Sequence, residues 1–277
     1  MKCYLKIKGC NFPNKSSDIK YVYKYGDGKK KYRYLECKKC FLTFNEILQK
    51  PRIEINKHLK SLYTRDYFIT YYTKQKNNDS YFKRKIQYNL DKKIILKYFK
   101  DNKTKKILDY SCGNGEFLNL FKSKKFGFEF NQHIDFKKDI NYLNSNEIKN
   151  YNYDLVIMRG VIEHIPDFNL TLKKIFKQMK KNSLFFITST PNNLTLPYFV
   201  DKKKFNQNSD QHIYHFNHLN LGYFFLKNNF TNLDIKFLYF DTPYKNIKND
   251  FNQMKLNRAK KLPAHIGNLM TLIFRKM

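Results

Sequence analysis

Tryptophan is absent from this chain of 277 residues, and glycine and proline are scarce, at nine and seven. Only seven of its 54 basic residues are arginine. Lys, Asn, Ile, Phe and Tyr take their place, with 26 Phe and 22 Tyr. That skew matches the codon bias of an AT-rich genome. It bears on the formal charge of +31, which at face value suggests nucleic acid or an anionic surface. Phosphate-reading surfaces use the arginine fork as well as lysine, and the lysines here are spread along the chain. The charge therefore reads as mostly compositional, leaving salt-sensitive polyanion attraction and no specific nucleic-acid partner. No apolar run approaches the roughly 20 residues of a membrane span. Met1 to Cys10 holds three lysines and no apolar stretch, so no secretory leader is expected. These absences predict a soluble protein of the reducing cytoplasm. In that setting the five cysteines suggest metal or packing rather than disulfides. With 42% hydrophobic residues, the chain can bury the core of one α/β domain plus a small appendage.

The stretch Ile107-Leu108-Asp109-Tyr110-Ser111-Cys112-Gly113-Asn114-Gly115-Glu116-Phe117-Leu118 organises the rest. Ile107 and Leu108 read as the end of a buried parallel strand. Gly113 and Gly115 permit a tight turn and close backbone approach to a ligand. Phe117, Leu118 and Phe121 predict a helix over 116–122. A strand, glycine turn and helix form the ligand-binding crossover of an open α/β sheet. One βα unit on, Phe126-Gly127-Phe128-Glu129-Phe130 is a short strand ending in an acid, which can bond both hydroxyls of a ribose. Strands are expected near 105–109, 126–130, 135–140, 153–158, 183–189, 233–240 and 268–275. Asp139, at the end of the third, is either an adenine contact or a loop acid.

Asp154 opens a buried fourth strand, with Glu163-His164-Ile165-Pro166-Asp167 just past its carboxyl end. An amphipathic helix over 170–181 and a strand over 183–189 follow, ending in Thr190-Pro191-Asn192. The Asp109 turn resembles motif I of the class I S-adenosylmethionine (SAM) methyltransferases, Asp-x-Gly-x-Gly-x-Gly, with Ser111 at the first glycine position. The Asp154, Glu163-His164 and Thr190-Pro191-Asn192 blocks resemble later blocks of the same family, in order, over about 104–230. The resemblance implies a Rossmann-like, seven-stranded α/β sheet with SAM bound by Asp109, Ser111, Cys112, Gly113, Gly115, Glu129 and Asp139.

Three further regions carry candidate sites. Residues 1–44 hold Cys3, Cys10, Cys37 and Cys40, the second pair with knuckle spacing beside a Tyr32/Tyr34 alternation that suggests a β-hairpin. They form either a tetrahedral structural zinc site in a small subdomain or unrelated cysteines. No βαβ pattern surrounds Cys37 and Cys40, which argues against a redox dithiol. Residues 45–103 read as helical, with Ile86, Leu90, Ile94, Ile95 and Tyr98 inward. They are a connector, or their tyrosines 63–72 are part of a lid over the substrate. His212, His215 and His218 cluster in one segment, and His212 or His164 is the candidate base. The catalytic domain is then 104–277.

As a whole the chain resembles the zinc-headed sugar methyltransferases of surface-polysaccharide and natural-product pathways. Those that methylate carbon use a Glu-His pair where this chain has Gln211-His212, and carry a long C-terminal domain absent here, so O-methylation of a sugar or nucleotide-sugar is favoured over C- or N-methylation. Ubiquinone-type O-methyltransferases place a metal-binding acid one turn before Glu163-His164. Here Arg159 and Gly160 stand there, and no catalytic metal is expected. The rival readings are an RNA or DNA methyltransferase and a nucleic-acid-binding zinc module on a degenerate SAM domain. The first lacks an Asn/Asp-Pro-Pro-Tyr motif, and the intact Asp109, Gly113, Gly115 and Glu129 argue against the second.

Overall fold

The computed structural model describes residues 19–25, 32–37, 39–72, 79–130, 136–195, 211–237, 242–243, 245–248 and 269–277. Its centre is a seven-stranded sheet. The parallel strands are β4 (Lys106–Tyr110), β5 (Lys124–Phe128), β6 (Asn141–Leu143), β7 (Tyr153–Arg159) and β8 (Met179–Pro191). β11 (Leu269–Lys276) runs antiparallel between β8 and β10 (Phe230–Lys236), and the spatial order is β10-β11-β8-β7-β4-β5-β6. The central strands β4, β7 and the second half of β8 are largely apolar because both their faces are covered. Leu108, Val156, Met158, Phe185 and Ile187 enter one core, while Ile107, Leu155, Ile157, Leu184 and Phe186 enter the other. This is the two-residue alternation of a strand.

On the first face lie α4 (Phe168–Lys177) and α5 (His218–Leu226). Phe168, Leu172, Ile175 and Phe176 form the buried stripe of α4. Asn217 caps α5 in a reciprocal box with Asn220. Without tryptophan, phenylalanine fills this core: Phe225 stacks on Phe274 at 4.0 Å.

On the other face lies α3 (Asp79–Leu96), preceded by α1 (Arg52–Leu62) and α2 (Arg65–Tyr72). Ile94 and Ile95 are buried as expected, but Ile86 is 53% exposed. The inward stripe instead runs through Arg84, Gln87, Tyr88 and Asp91, all buried. The expected helix over 116–122 is also corrected, to one 3-10 turn at Leu118–Leu120. The Asp101 carboxylate accepts from the Lys122 and Ser123 amides at 2.8–3.0 Å and draws the chain out into β5. The third strand lies at Asn141–Leu143 rather than 135–140.

A second sheet has the order β1-β2-β3-β9, from β1 (Ile19–Tyr25), β2 (Tyr32–Cys37), β3 (Thr43–Asn45) and β9 (Tyr214–His215). Leu35, Cys37, Leu42 and Phe44 belong to the same core as α4 and α5, so this sheet packs directly on the main domain. Among the described residues no helix is long and apolar enough to cross a membrane.

Candidate active site

The site lies along the carboxyl edge of the parallel strands and has two poles. At the first, β4 ends in Asp109 and Tyr110, and the chain turns through left-handed Ser111 (φ 64°), Gly113 (φ 56°) and Gly115 (φ 81°). The Ser111 and Cys112 amides donate to the Phe128 carbonyl at 2.7 and 3.1 Å, clamping the turn to the end of β5. The Gly113 amide donates to Glu129 Oε2 at 2.9 Å. A side chain at Gly113 would collide with the Tyr72 hydroxyl, and one at Gly115 with Ile140 and the Tyr142 hydroxyl. The turn therefore needs glycine for space as well as for backbone angle.

Ser111 adopts an angle that costs a non-glycine residue roughly 1–2 kcal/mol. Glycine would relieve this but has more freedom to lose on folding. Ser111→Gly should therefore gain about 0.5–1 kcal/mol in denaturant unfolding. Loss of stability would mean that the serine side chain outweighs its backbone strain.

Asp109 is 3% exposed, and its Oδ1 has no hydrogen-bond partner among the described residues. Burial pushes its carboxyl up to about 7, against the pull of nearby Arg159. Cys112 is buried beside Gly127, where its sulfur takes the space a side chain would need, and burial pushes its thiol up. Asp139 is exposed and precedes β6, at the strand's amino end rather than its carboxyl end. The residue past the carboxyl end is Asn144, whose Oδ1 accepts from the Asn146 and Glu147 amides at 2.9 and 3.1 Å.

The second pole follows β7. Gly160 (φ 61°) donates its amide to the Thr188 carbonyl at 2.8 Å, and a 3-10 turn over Ile162–His164 follows. Glu163 is 1% exposed, and its Oε2 accepts from the Thr190 hydroxyl at 3.1 Å. Burial raises its carboxyl to about 8. The His164 Nδ1 lies 2.9 Å from the Gln211 carbonyl and 3.0 Å from the Tyr63 hydroxyl. A carbonyl only accepts, so Nδ1 carries the hydrogen and Nε2 keeps its lone pair. Nε2 faces Glu163 Oε1 at 3.9 Å. The His212 ring packs on His164 at 4.7 Å. Burial lowers His164 to about 4 and His212 well below its ordinary value, the latter further lowered by its neighbours His164 and His215. His215 stacks on Tyr34 at 5.0 Å, and the Tyr34 hydroxyl donates to the His212 carbonyl at 3.0 Å. His218 stands apart, against Phe237.

Between the poles lies a charged cluster that the sequence did not disclose. Asp91 is fully buried and accepts from Arg159 Nε at 2.9 Å, Gln87 Nε2 at 2.9 Å and the Thr188 hydroxyl at 3.3 Å. Arg159 lies over the Tyr88 ring at 4.6 Å, and Arg84 over the Tyr72 ring at 5.1 Å. Thus Tyr63 bonds the acid-histidine pole, while Tyr72, at the far end of α2, meets the glycine turn. The tyrosines of 63–72 are the sequence signal for this bridge.

Of the cysteines expected to bind metal, Cys3 and Cys10 lie outside the described residues. Cys37 is buried and Cys40 half-buried, on a tight turn in which the Phe41 amide donates to the Cys37 carbonyl at 2.9 Å.

Six strands of one direction, the antiparallel β11 inserted between β8 and β10, and a glycine turn between an acid and a second strand-end acid define the class I methyltransferase fold. The profile of a family described as a methyltransferase domain matches residues 81–235, more than half of the chain. The chain belongs to that family and is a SAM-dependent methyltransferase. No curated protein matches the sequence. Two solved structures share the fold. Magnesium protoporphyrin IX methyltransferase from Synechocystis PCC 6803, with bound S-adenosylhomocysteine (SAH), is 11% identical with a TM-score of 0.53, over 81% of this chain and 99% of that one. The 1,6-didemethyltoxoflavin-N1-methyltransferase of Burkholderia thailandensis, with its substrate and SAH, is also 11% identical with a TM-score of 0.53, over 93% of this chain and 99% of that one.

Proposed function

We propose that the enzyme transfers the methyl group of SAM to oxygen on a small polar acceptor, a sugar or nucleotide-sugar, seated between the glycine turn and the Glu163–His164–His212 pole. The bridge made by α2 carries this reading. Tyr63, just before α2, bonds His164 while Tyr72, at its far end, meets Gly113, which supports an acceptor held beneath this segment. That enclosure suits a small molecule better than a polymer lying in an open groove. Dispersed lysines fit the same view.

SAM fits the first pole. Its ammonium group would pair with the unpartnered Oδ1 of Asp109, and its ribose would take Glu129. Sulfonium is already an activated donor, so the protein chiefly aligns two reactants. The acceptor oxygen bonds the methyl carbon as the sulfur–methyl bond breaks, leaving SAH, and the acceptor proton passes to His164 Nε2 or to His212.

Glu129→Ala should weaken SAH binding by about 1.5–3 kcal/mol, the worth of hydrogen bonds to a charged group. An ammonium ligand favours ionised Asp109, whose ligand-free pKa is about 7. Affinity should therefore be full above that pH and fall below it, by at most about tenfold per unit. Calorimetry at several pH values reads both effects. Full affinity in the Ala variant would remove Glu129 from the cofactor site.

Cys3, Cys10, Cys37 and Cys40 are proposed to hold one structural zinc, whose binding weakens on acidification because thiolates must be freed. Zinc content unchanged in Cys37→Ser/Cys40→Ser would refute that ligand set.

The acceptor class is tested with radiolabelled SAM offered together with cell RNA, DNA and a nucleotide-sugar extract, at low salt and at roughly 0.2 M. Label should enter the small-molecule fraction at both. Label at a defined site in RNA or DNA, lost at the higher salt, would establish a nucleic-acid enzyme instead.

A further inference from the structure

We propose that Glu163, His164 and His212 form a binding site for a divalent transition-metal cation, separate from any held by the N-terminal cysteines. One ligand atom from each lies within 4.8 Å of the other two. Around a cation with bonds of about 2.0–2.2 Å, ligand atoms stand roughly 3.3 Å apart. The Glu163 Oε1 to His164 Nε2 separation of 3.9 Å therefore needs only a small closure.

The side chains are held as ligands need to be. The His164 Nδ1 hydrogen points to the Gln211 carbonyl at 2.9 Å, which directs the lone pair of Nε2 toward Glu163. Such an outer hydrogen bond fixes the tautomer and plane of metal-binding imidazoles. Thr190 occupies Glu163 Oε2 at 3.1 Å and leaves Oε1 facing His164 Nε2. The Ile213 amide bonds the Glu163 carbonyl at 3.1 Å, tying the two ligand-bearing segments together.

Two imidazoles and one carboxylate, without thiolate, suit Zn²⁺, Co²⁺, Fe²⁺ or Mn²⁺ better than Ca²⁺. Three protein ligands leave an open position, and both histidines are only half-buried. An acceptor hydroxyl could bind there, and the His164 Nε2 lone pair, held by the cation, would then not take its proton. That catalytic role rests on the function proposed above, whereas cation binding does not. The missing acid near Arg159 argued against a metal because the third ligand was sought on the same turn. The fold brings it from His212 on another segment.

The test is cobalt(II) titration of the full chain carrying Cys37→Ser/Cys40→Ser, followed by visible absorption and calorimetry. One cobalt per chain should bind with the ligand-field bands of a four- or five-coordinate nitrogen/oxygen site and no thiolate charge transfer. His212→Ala and Glu163→Gln should each weaken binding at least tenfold while SAH still binds, which certifies the fold. If the serine variant does not fold, the wild-type chain serves, because thiolate charge transfer marks a cysteine site separately. Absence of this cobalt site in chain that binds SAH, or affinity unchanged by both variants, overturns the proposal and leaves the methyltransferase reading intact. Absence of SAH binding by folded wild-type chain would count against the cofactor reading instead.

Discussion

His164→Ala should lower the methyl-transfer rate by about 10²–10⁴ while SAH affinity stays within about twofold of wild type. The proposed base is Nε2, whose lone pair is directed by the Gln211 carbonyl toward Glu163. Nothing in that arrangement touches the glycine turn, so chemistry and cofactor binding should separate. His212→Ala should behave alike, since its ring packs on the same imidazole. The rate should also respond to Glu163, whose carboxyl burial pushes up to about 8 in the metal-free protein. Once ionised it can stabilise positive charge on His164, so the rate should rise with pH through that value and level off above it. Glu163→Gln should flatten that rise. Single-turnover transfer across pH 6–9 measures this; a wild-type rate in both alanine variants would remove the second pole from the chemistry.

Asp91→Ala should cost about 3–5 kcal/mol of stability, because it leaves a guanidinium without its buried partner. Arg159 is 16% exposed and Asp91 is fully enclosed, so water can do little to replace the lost carboxylate. Gln87 and Thr188 lose an acceptor as well. Arg159 lies close enough to Asp109 to influence its ionisation and, without Asp91, should be drawn toward it, weakening SAM binding too. Denaturant unfolding reads the first effect and calorimetry the second. A cost under about 1 kcal/mol would show that the pair is no more than a surface ion pair in effect.

The sheet's central strands were readable because both their faces are buried. A near-continuous run such as Tyr153–Met158 has few alternatives, and the glycine turn is marked by residues that nothing else replaces. The crossover after Gly115 misled because Phe117, Leu118 and Phe121 keep helical spacing, while the carboxylate that ends the segment comes from Asp101. On α3, hydrophobicity pointed to Ile86, whereas the buried stripe carries Arg84 and Asp91, whose partners sit on other elements. Asp139 was assigned to a strand end that lies further along the chain. The approach of Tyr63 and His212 to His164 depends on tertiary placement and leaves no local pattern.

The pairing of β3 with β9, Thr43 with His215 and Phe44 with Tyr214, reaches beyond the fold. The family's matched stretch, residues 81–235, holds Asp109, Gly113, Gly115, Glu129, Glu163, His164 and His212 but not every side chain packed around them. Tyr63 touches His164 from outside it, and Tyr34 holds the His212 carbonyl from outside it. Two of the contacts around the proposed acceptor pole thus come from the first 80 residues, outside the part that the family shares. A fragment trimmed to the common stretch would lose these contacts and also β11, the strand between β8 and β10, so the donor site cannot be cut free of the rest of the chain.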